Sequence, residues 1–381
     1  MDRRVSGIER GDAGLRRRPD RRVPGSGILN QPHQPLPAAD LEHILAHTTP
    51  LWRELAGSRI FITGGTGFFG IWLLESIAAA NDTLKVGVGA TVLSRNPAAF
   101  LARMPHLADR SEFDWLCGNP ATFSFPVSRH DYLLHLATAT SAHLTQTDPA
   151  EMLKTKLASI SRVLDYARHA EIRRMLVTSS GAVYGPQTPE LSHIDETCGG
   201  APDPMNPSSA YGNGKRLVEQ MCALTPEVDI VIARCFSFVG PHLPLDGRFA
   251  AGNFLRDALA GGPIRIRGDG RAIRSYLHAA DLTIWLLALL LKGRPQAAYN
   301  VGSDQALSIL ELAQRVAAAT GRPIEINLAG ATSTAAAAID RYVPAIERAR
   351  RELGVDVRLD LDAAQQRTLA WLEAGTGSLS P

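Results

Sequence analysis

The sequence predicts a doubly wound α/β fold, a parallel sheet with helices on both faces, carrying a smaller C-terminal α/β lobe. Three observations lead there. The segment Phe61-Ile62-Thr63-Gly64-Gly65-Thr66-Gly67-Phe68-Phe69-Gly70 takes an apolar strand through glycines three apart into an amphipathic helix over residues 71–80. Short β-rich runs then alternate with helical stretches as far as residue 234, and beyond Phe236 that alternation loosens.

Arg59–Thr63 reads as a buried strand bounded by Gly57. Gly64 permits the tight turn off it, Gly67 lets the backbone approach a pyrophosphate with no Cβ in the way, and Gly70 allows close helix-strand packing. The N-terminus of the following helix then faces phosphates, so the segment predicts a dinucleotide site. Further strands are expected at 90–94, 113–117, 132–136, 174–179 and 229–234, with the clearest helices at 149–169 and 209–223. The second half offers a Pro/Gly-rich loop at 240–247, a helix near 249–260, a short strand at 264–267, and helices from Asp281, at 308–319 and at 343–353. The expected organisation is a basic tail over 1–38, a linker or helix over 39–57, a dinucleotide-binding domain over 58–235, and a substrate-binding lobe over 236–375 interleaved with the sheet. Such a lobe caps the carboxyl ends of the strands, where ligands of doubly wound folds bind.

The chain has 381 residues, 45% of them hydrophobic, enough for a large core, and a formal net charge of +2. Residues 1–22 hold eight Arg against four acids, so the remainder is about −2 and gives no support for nucleic-acid binding. No apolar stretch follows Arg16-Arg17-Arg18 or Arg21-Arg22, which argues against a signal peptide and for a disordered tail. Cys117, Cys198, Cys222 and Cys235 show no paired spacing, as expected of reduced cytoplasmic thiols rather than a disulfide frame or a metal site. The apolar run 284–291 is too short to span a membrane.

Tyr211-Gly212-Asn213-Gly214-Lys215 places a phenol and an ammonium four residues apart at a helix start, on one face and about one turn apart. A phenol titrates near 10, so it works as a base at neutral pH only with a cation close by, which Lys215 offers. Such a pair taken alone is more often surface decoration. In Val177-Thr178-Ser179-Ser180-Gly181-Ala182-Val183-Tyr184-Gly185 a strand ends in hydroxyls at the sheet's carboxyl edge, either capping a turn or donating to a substrate oxygen.

With these elements in this order, the chain resembles the extended short-chain dehydrogenase/reductase family, in its nucleotide-sugar epimerase/dehydratase branch, from about Ser58 to Gly321. Thr63 to Gly70 matches the family's TGxxGxxG, Ser179 to Gly185 its SSxxVYG, and Tyr211 to Lys215 its YxxxK. Further matches lie at Arg234 to Pro241, Gly268-Asp269-Gly270 with Arg274-Ser275-Tyr276, Asp281-Leu282, and Tyr299-Asn300-Val301-Gly302. The resemblance makes Tyr211 the acid/base at a sugar oxygen, has Ser180 share that hydrogen bond, and assigns Lys215 to the nicotinamide ribose. It implies cofactor contacts from Gly64, Thr66, Gly67, Phe68, Phe69, Gly70, Ser94, Arg95, Asn119, Leu136, Ala137 and Thr138, as well as from Tyr211 and Lys215. Ser180, Ser237, Asn253 and Arg274 are implied near the substrate, the last two at its diphosphate, with a helix cap and a surface ion pair as their alternatives.

Departures from the family pattern bear on the reaction. Members that dehydrate or decarboxylate the sugar place an acid just after the catalytic hydroxyl, whereas this chain has Gly181 and Ala182. That leaves a 4-epimerase or a 4-ketosugar reductase. Ser237 stands where a phosphate-binding Asn is common, Lys156 where an Asn supports the active site, and Asn119 where an Asp meets the adenine. At the end of the second strand Ser94-Arg95-Asn96 carries no acid for the ribose hydroxyls, so NADP is favoured over NAD, although an arginine can also stack on adenine. The alternatives are an NADP-dependent reductase of a non-nucleotide carbonyl compound and a non-catalytic NADP-binding sensor. A homodimer through helices 149–169 and 209–223 is expected.

Overall fold

A computed structural model describes residues 34–136, 148–245, 247, 249–330 and 339–376. The first half contains α1 (Ala38–Glu54), β1 (Arg59–Thr63), α2 (Phe68–Leu84), β2 (Gly89–Ser94), α3 (Pro97–Arg103), β3 (Phe113–Cys117), β4 (Tyr132–His135), α4 (Pro149–His169), β5 (Arg174–Ser180), α5 (Ala210–Ala223) and β6 (Asp229–Cys235). After it come the short strands β7 (Phe238–Val239), β8 (Ile264–Ile266), β9 (Ile273–Arg274) and β10 (Leu277–His278), with α6 (Ala250–Leu259) among them. They lead into α7 (Ala279–Lys292) and β11 (Ala297–Val301). The chain closes with β12 (Leu307–Ser308), α8 (Ile309–Ala319), β13 (Ile326–Leu328), β14 (Arg341–Tyr342), α9 (Glu347–Leu353) and α10 (Leu361–Thr376).

Seven parallel strands form the main sheet in the order β11-β6-β5-β4-β1-β2-β3, the doubly wound arrangement that the alternation predicts. The strand order reverses between β1 and β4, and that switch point opens the crevice in which such folds bind ligands. One face is covered by α1, α2 and α7, the other by α4 and α5, each closing its own apolar cluster against the sheet. Helix α7 is buried along nearly its whole length because apolar residues run all round it, from Leu282 to Leu291. Among the described residues no helix is long and apolar enough to cross a membrane.

The seventh strand, β11, comes from beyond Phe236. Read alone, Tyr299-Asn300-Val301-Gly302 is only a short motif; it becomes a strand because α7 returns the chain to the sheet and β6 offers an open edge. The short strands and α6, α8 and α10 make a separate apolar cluster over the carboxyl end of the sheet. Residues 34–38, expected to belong to a disordered tail, are packed: Leu36 is buried, because its side chain joins the apolar cluster and its amide donates to the buried Glu75 carboxylate at 2.7 Å. Helix α1 follows at Ala38, held by Asp40 against Arg367 and by His43 against Asp281 at 2.9 Å.

Candidate active site

The parallel register brings the chemical residues to one edge. Thr63 pairs with Leu93 and His135, Ser94 with Cys117, and Ser180 with Cys235, so the turns after β1, β2, β3, β4 and β5 all open in one direction. In the first turn Gly64 has φ +75°, a left-handed conformation that a glycine adopts without strain. A Cβ on Gly70 would lie 2.2 Å from the Gly65 carbonyl oxygen, so the first turn of α2 rests directly on the loop. A Cβ on Gly67 would make only an ordinary contact, 3.4 Å from the Gly64 carbonyl oxygen. Gly67 is the N-cap of α2 and supplies no side-chain cap, which leaves the amides of the first turn for an outside acceptor. That cradle fits the pyrophosphate of a dinucleotide.

At the same edge Ser94 is buried, its hydroxyl accepting from the Asn96 amide at 3.3 Å, while Arg95 is exposed beside it. Asn119 is exposed in the turn after β3, where its side chain accepts from the Ala121 amide. Leu136 is buried and its amide donates to the Thr63 carbonyl. Ala137 and Thr138 lie outside the described residues.

Tyr211 occupies the first turn of α5 and, with Ala182, Gly185, Pro202, Ser209 and Tyr342, lines a cavity of about 260 Å³. Lys215, one turn on, is buried and donates to the Thr178 carbonyl at 2.7 Å. Burial brings its pKa down from 10.5 to about 8, although Cys235 and Glu219 act the other way. Ser180 ends β5; its hydroxyl accepts from the Ala182 amide at 3.2 Å and lies 3.4 Å from the Tyr342 hydroxyl. No motif pointed to Tyr342, because its place depends on β14 pairing with β9, which sets it beside Arg274. Its ring packs on Phe236 at 4.5 Å between centroids, and burial raises its pKa.

Behind these residues the family motifs form one hydrogen-bonded network. Arg234 makes a 2.7 Å ion pair with Glu219, which accepts from the Ser179 hydroxyl, and Arg234 also donates to the Tyr184 hydroxyl at 2.8 Å. Tyr184 donates in turn to Asn300, whose amide nitrogen bonds the Ile194 and Ala345 carbonyls. Burial, foremost, pushes Tyr184 up to about 12, so it remains a donor. These bonds tie β5, β6, β11 and α5 together and hold the Ser180 backbone in place. His135, buried at the end of β4, is held neutral by burial and then by the charges of Lys215 and Lys156, with a pKa near 3.

The expected substrate residues are placed less uniformly. Ser237 is half-buried just beyond β6, its carbonyl accepting from the Leu277 amide. Asn253 lies inside α6 rather than at its cap and accepts from the Gly247 amide at 3.0 Å and from Arg256 at 3.2 Å, contacts that tie down its own loop. Arg274 is ion-paired with Asp340 and donates to the Asp340 and Ile273 carbonyls. Among the described residues no group of three or more His, Cys, Asp or Glu side chains is arranged to hold a metal.

A glycine cradle at a helix start, beside a Tyr-Lys pair and a strand-end serine, is the arrangement of a nucleotide-dependent type of enzyme. The model of the NAD dependent epimerase/dehydratase family matches residues 60–302, and the chain belongs to that family. It is 27% identical over 314 residues to UDP-glucuronic acid decarboxylase 1 of Xenopus tropicalis, a match covering 82% of this chain and 71% of that protein. It is 29% identical over 282 residues to UDP-glucuronic acid decarboxylase 2 of Arabidopsis thaliana, covering 70% of this chain but only 58% of that one. Among solved structures, the UDP-glucose 4-epimerase of Thermotoga maritima, crystallised with UDP-glucose, superposes with a TM-score of 0.69 at 19% identity, covering 84% of this chain and 99% of that one. The dTDP-glucose 4,6-dehydratase of Bacillus anthracis, in complex with NAD, gives 0.69 at 17%, covering 84% and 97%. Likeness at that identity shows the fold.

Proposed function

We propose that the chain catalyses hydride transfer at C4 of a nucleoside-diphosphate sugar, as a 4-epimerase or a 4-ketosugar reductase. The observation that carries this choice within the family is the packing at Gly181. A Cβ there would lie 2.6 Å and 2.7 Å from two atoms of the Phe236 ring and 2.7 Å from the Tyr342 hydroxyl, and the next residue is Ala182. The acid that dehydratases and decarboxylases place just after the catalytic hydroxyl has no counterpart here, and at Gly181 a larger side chain has no room.

A nicotinamide dinucleotide bound in the glycine cradle supplies the hydride acceptor and donor. Tyr211 takes the C4 hydroxyl proton in the oxidising direction and returns one in the reducing direction, with Ser180 holding the same oxygen. Lys215 lies one turn away on the same face of α5, and its ammonium favours the phenolate. NADP(H) is supported by exposed Arg95 and the absence of an acid at 94–96; NAD(H) is the second reading, in keeping with the NAD held by the Bacillus anthracis dehydratase. Reduction of a non-nucleotide carbonyl compound is the alternative, and the pairing of Arg274 with Asp340 favours it over a diphosphate contact. A cytoplasmic homodimer through α4 and α5 is part of the proposal, supported by Leu217 and Leu224 exposed on and just after α5 and by four unbridged cysteines.

The test is incubation with UDP-glucose, UDP-galactose and UDP-glucuronate, with NAD or NADP, followed by NMR of the products. C4 interconversion, lowered at least ~100-fold by Tyr211→Phe with dinucleotide binding retained, is the expected result. Loss of carbon dioxide from UDP-glucuronate, or substantial turnover surviving Tyr211→Phe, overturns the reading.

A further inference from the structure

A second buried lysine lies over the ring of Tyr211. Lys156 projects from α4, the residue is only 6% exposed, and its side-chain nitrogen lies 4.7 Å from the centroid of the Tyr211 ring. The passage that lets it reach there is built by Gly214, inside the Tyr-x-x-x-Lys turn. A Cβ on Gly214 would lie 3.2 Å from Lys156 Cδ and 2.8 Å from Leu153 Cδ2, so any larger residue would press on the lysine stem. Helices α4 and α5 therefore meet closely enough to hold a primary ammonium against the phenol ring.

We infer that Lys156 is a positioning residue for proton transfer, a second ammonium that stabilises the Tyr211 phenolate and extends activity to lower pH than Lys215 alone would allow. The inference rests on Tyr211 being the proton-transfer group. An ammonium in this place acts on both forms of the ring, but its attraction to a full negative charge on the phenolate exceeds its attraction to the neutral ring's quadrupole.

Among the described residues, the titratable groups that pack near Tyr211 leave that effect standing. Lys215, on α5, adds to it. Tyr342, from β14, is a neutral phenol whose own pKa is raised, first by burial, with Arg274 beyond it acting downward. His135, from β4, stays neutral, and the Cys235 thiol, from β6, is pushed up to about 12 by burial. Glu219, on α5, is the nearby carboxylate, and it is already engaged by Arg234 and the Ser179 hydroxyl.

The experiment is an ultraviolet phenolate titration of the full chain, with Tyr211 isolated as the difference between each protein and its own Tyr211→Phe partner, and with folding followed by circular dichroism at every pH. Lys156→Asn introduces a neutral polar side chain; Lys156→Arg keeps the charge. The Tyr211 midpoint is expected to rise by about one pH unit or more in Lys156→Asn and to stay near the wild-type value in Lys156→Arg. An unchanged midpoint in Lys156→Asn overturns the inference, as does an equal rise in both variants. Because the titration needs no turnover, a failed C4 assay and a failed midpoint shift are separate results.

Discussion

Gly181 offers the sharpest test, because it links packing to the choice of reaction. Gly181→Ala puts a methyl group 2.6–2.7 Å from three heavy atoms, two on Phe236 and one on Tyr342. Those atoms belong to side chains, yet they have little room to move: the two rings lean on each other at 4.5 Å, and the Tyr342 hydroxyl is 3.4 Å from both Ser180 and the Cys235 carbonyl. Overpacking of this kind costs about 1–3 kcal/mol, and the lower backbone entropy of an unfolded alanine offsets about 0.5–1 of that. We expect Gly181→Ala to lose roughly 1–2 kcal/mol in urea denaturation. Gly181→Asp should lose more, since it buries a carboxylate as well, and should yield no 4,6-dehydrated sugar. In a double-mutant cycle, Phe236→Ala should recover about 1 kcal/mol of the Gly181→Ala cost by opening the space. A neutral or stabilising Gly181→Ala, or zero coupling to Phe236, would refute the packing argument; dehydration by Gly181→Asp would refute its functional consequence.

Other outcomes follow from the same geometry. Lys215→Met should abolish turnover yet stabilise the cofactor-free chain at pH 7 by roughly 2 kcal/mol. The fall in pKa from 10.5 to about 8 corresponds to about 3 kcal/mol, less about 1 for the bond to the Thr178 carbonyl. The unfolded state binds more protons between those values, so wild-type stability should rise as pH passes from 8 to 10.5 and the variant's advantage should fade over the same window. Urea titrations at pH 7 and pH 10 check this, and a variant destabilised equally at both overturns it. Nucleotide identified after denaturing the purified protein should be NADP or none if Arg95 reads a 2'-phosphate, whereas tightly held NAD would reverse that reading and point to an epimerase that returns its own hydride. Arg274→Ala should raise the KM for a UDP-sugar about tenfold if the arginine leaves Asp340 for the diphosphate; an unaltered KM favours the non-nucleotide substrate.

Local patterns were legible in the chain because local physics sets them. The turn after β1 can be read from Gly64, Gly67 and Gly70, since each answers a constraint within ten residues: a positive φ, an open face and a close helix. Tyr211 and Lys215 share a face because one helical turn separates them. The strand runs from Arg59 to Cys235 were visible for the same reason, and their alternation with helices implied a parallel sheet. Asn253 was harder, because a helix cap and a mid-helix loop anchor differ only in where α6 begins.

What the chain determined by itself was the kind of site: a glycine turn at a helix start, a phenol and an ammonium one helical turn apart, and a hydroxyl at a strand end. Only the tertiary structure decided what surrounds that phenol. Tyr342 and Phe236 close the space beside Ser180, Lys156 reaches Tyr211 through the slot left by Gly214, and Arg274 meets Asp340. Each contact joins segments far apart in sequence, through β9 with β14 or α4 with α5. No periodicity or spacing records such a meeting, because it depends on how the packed elements share volume.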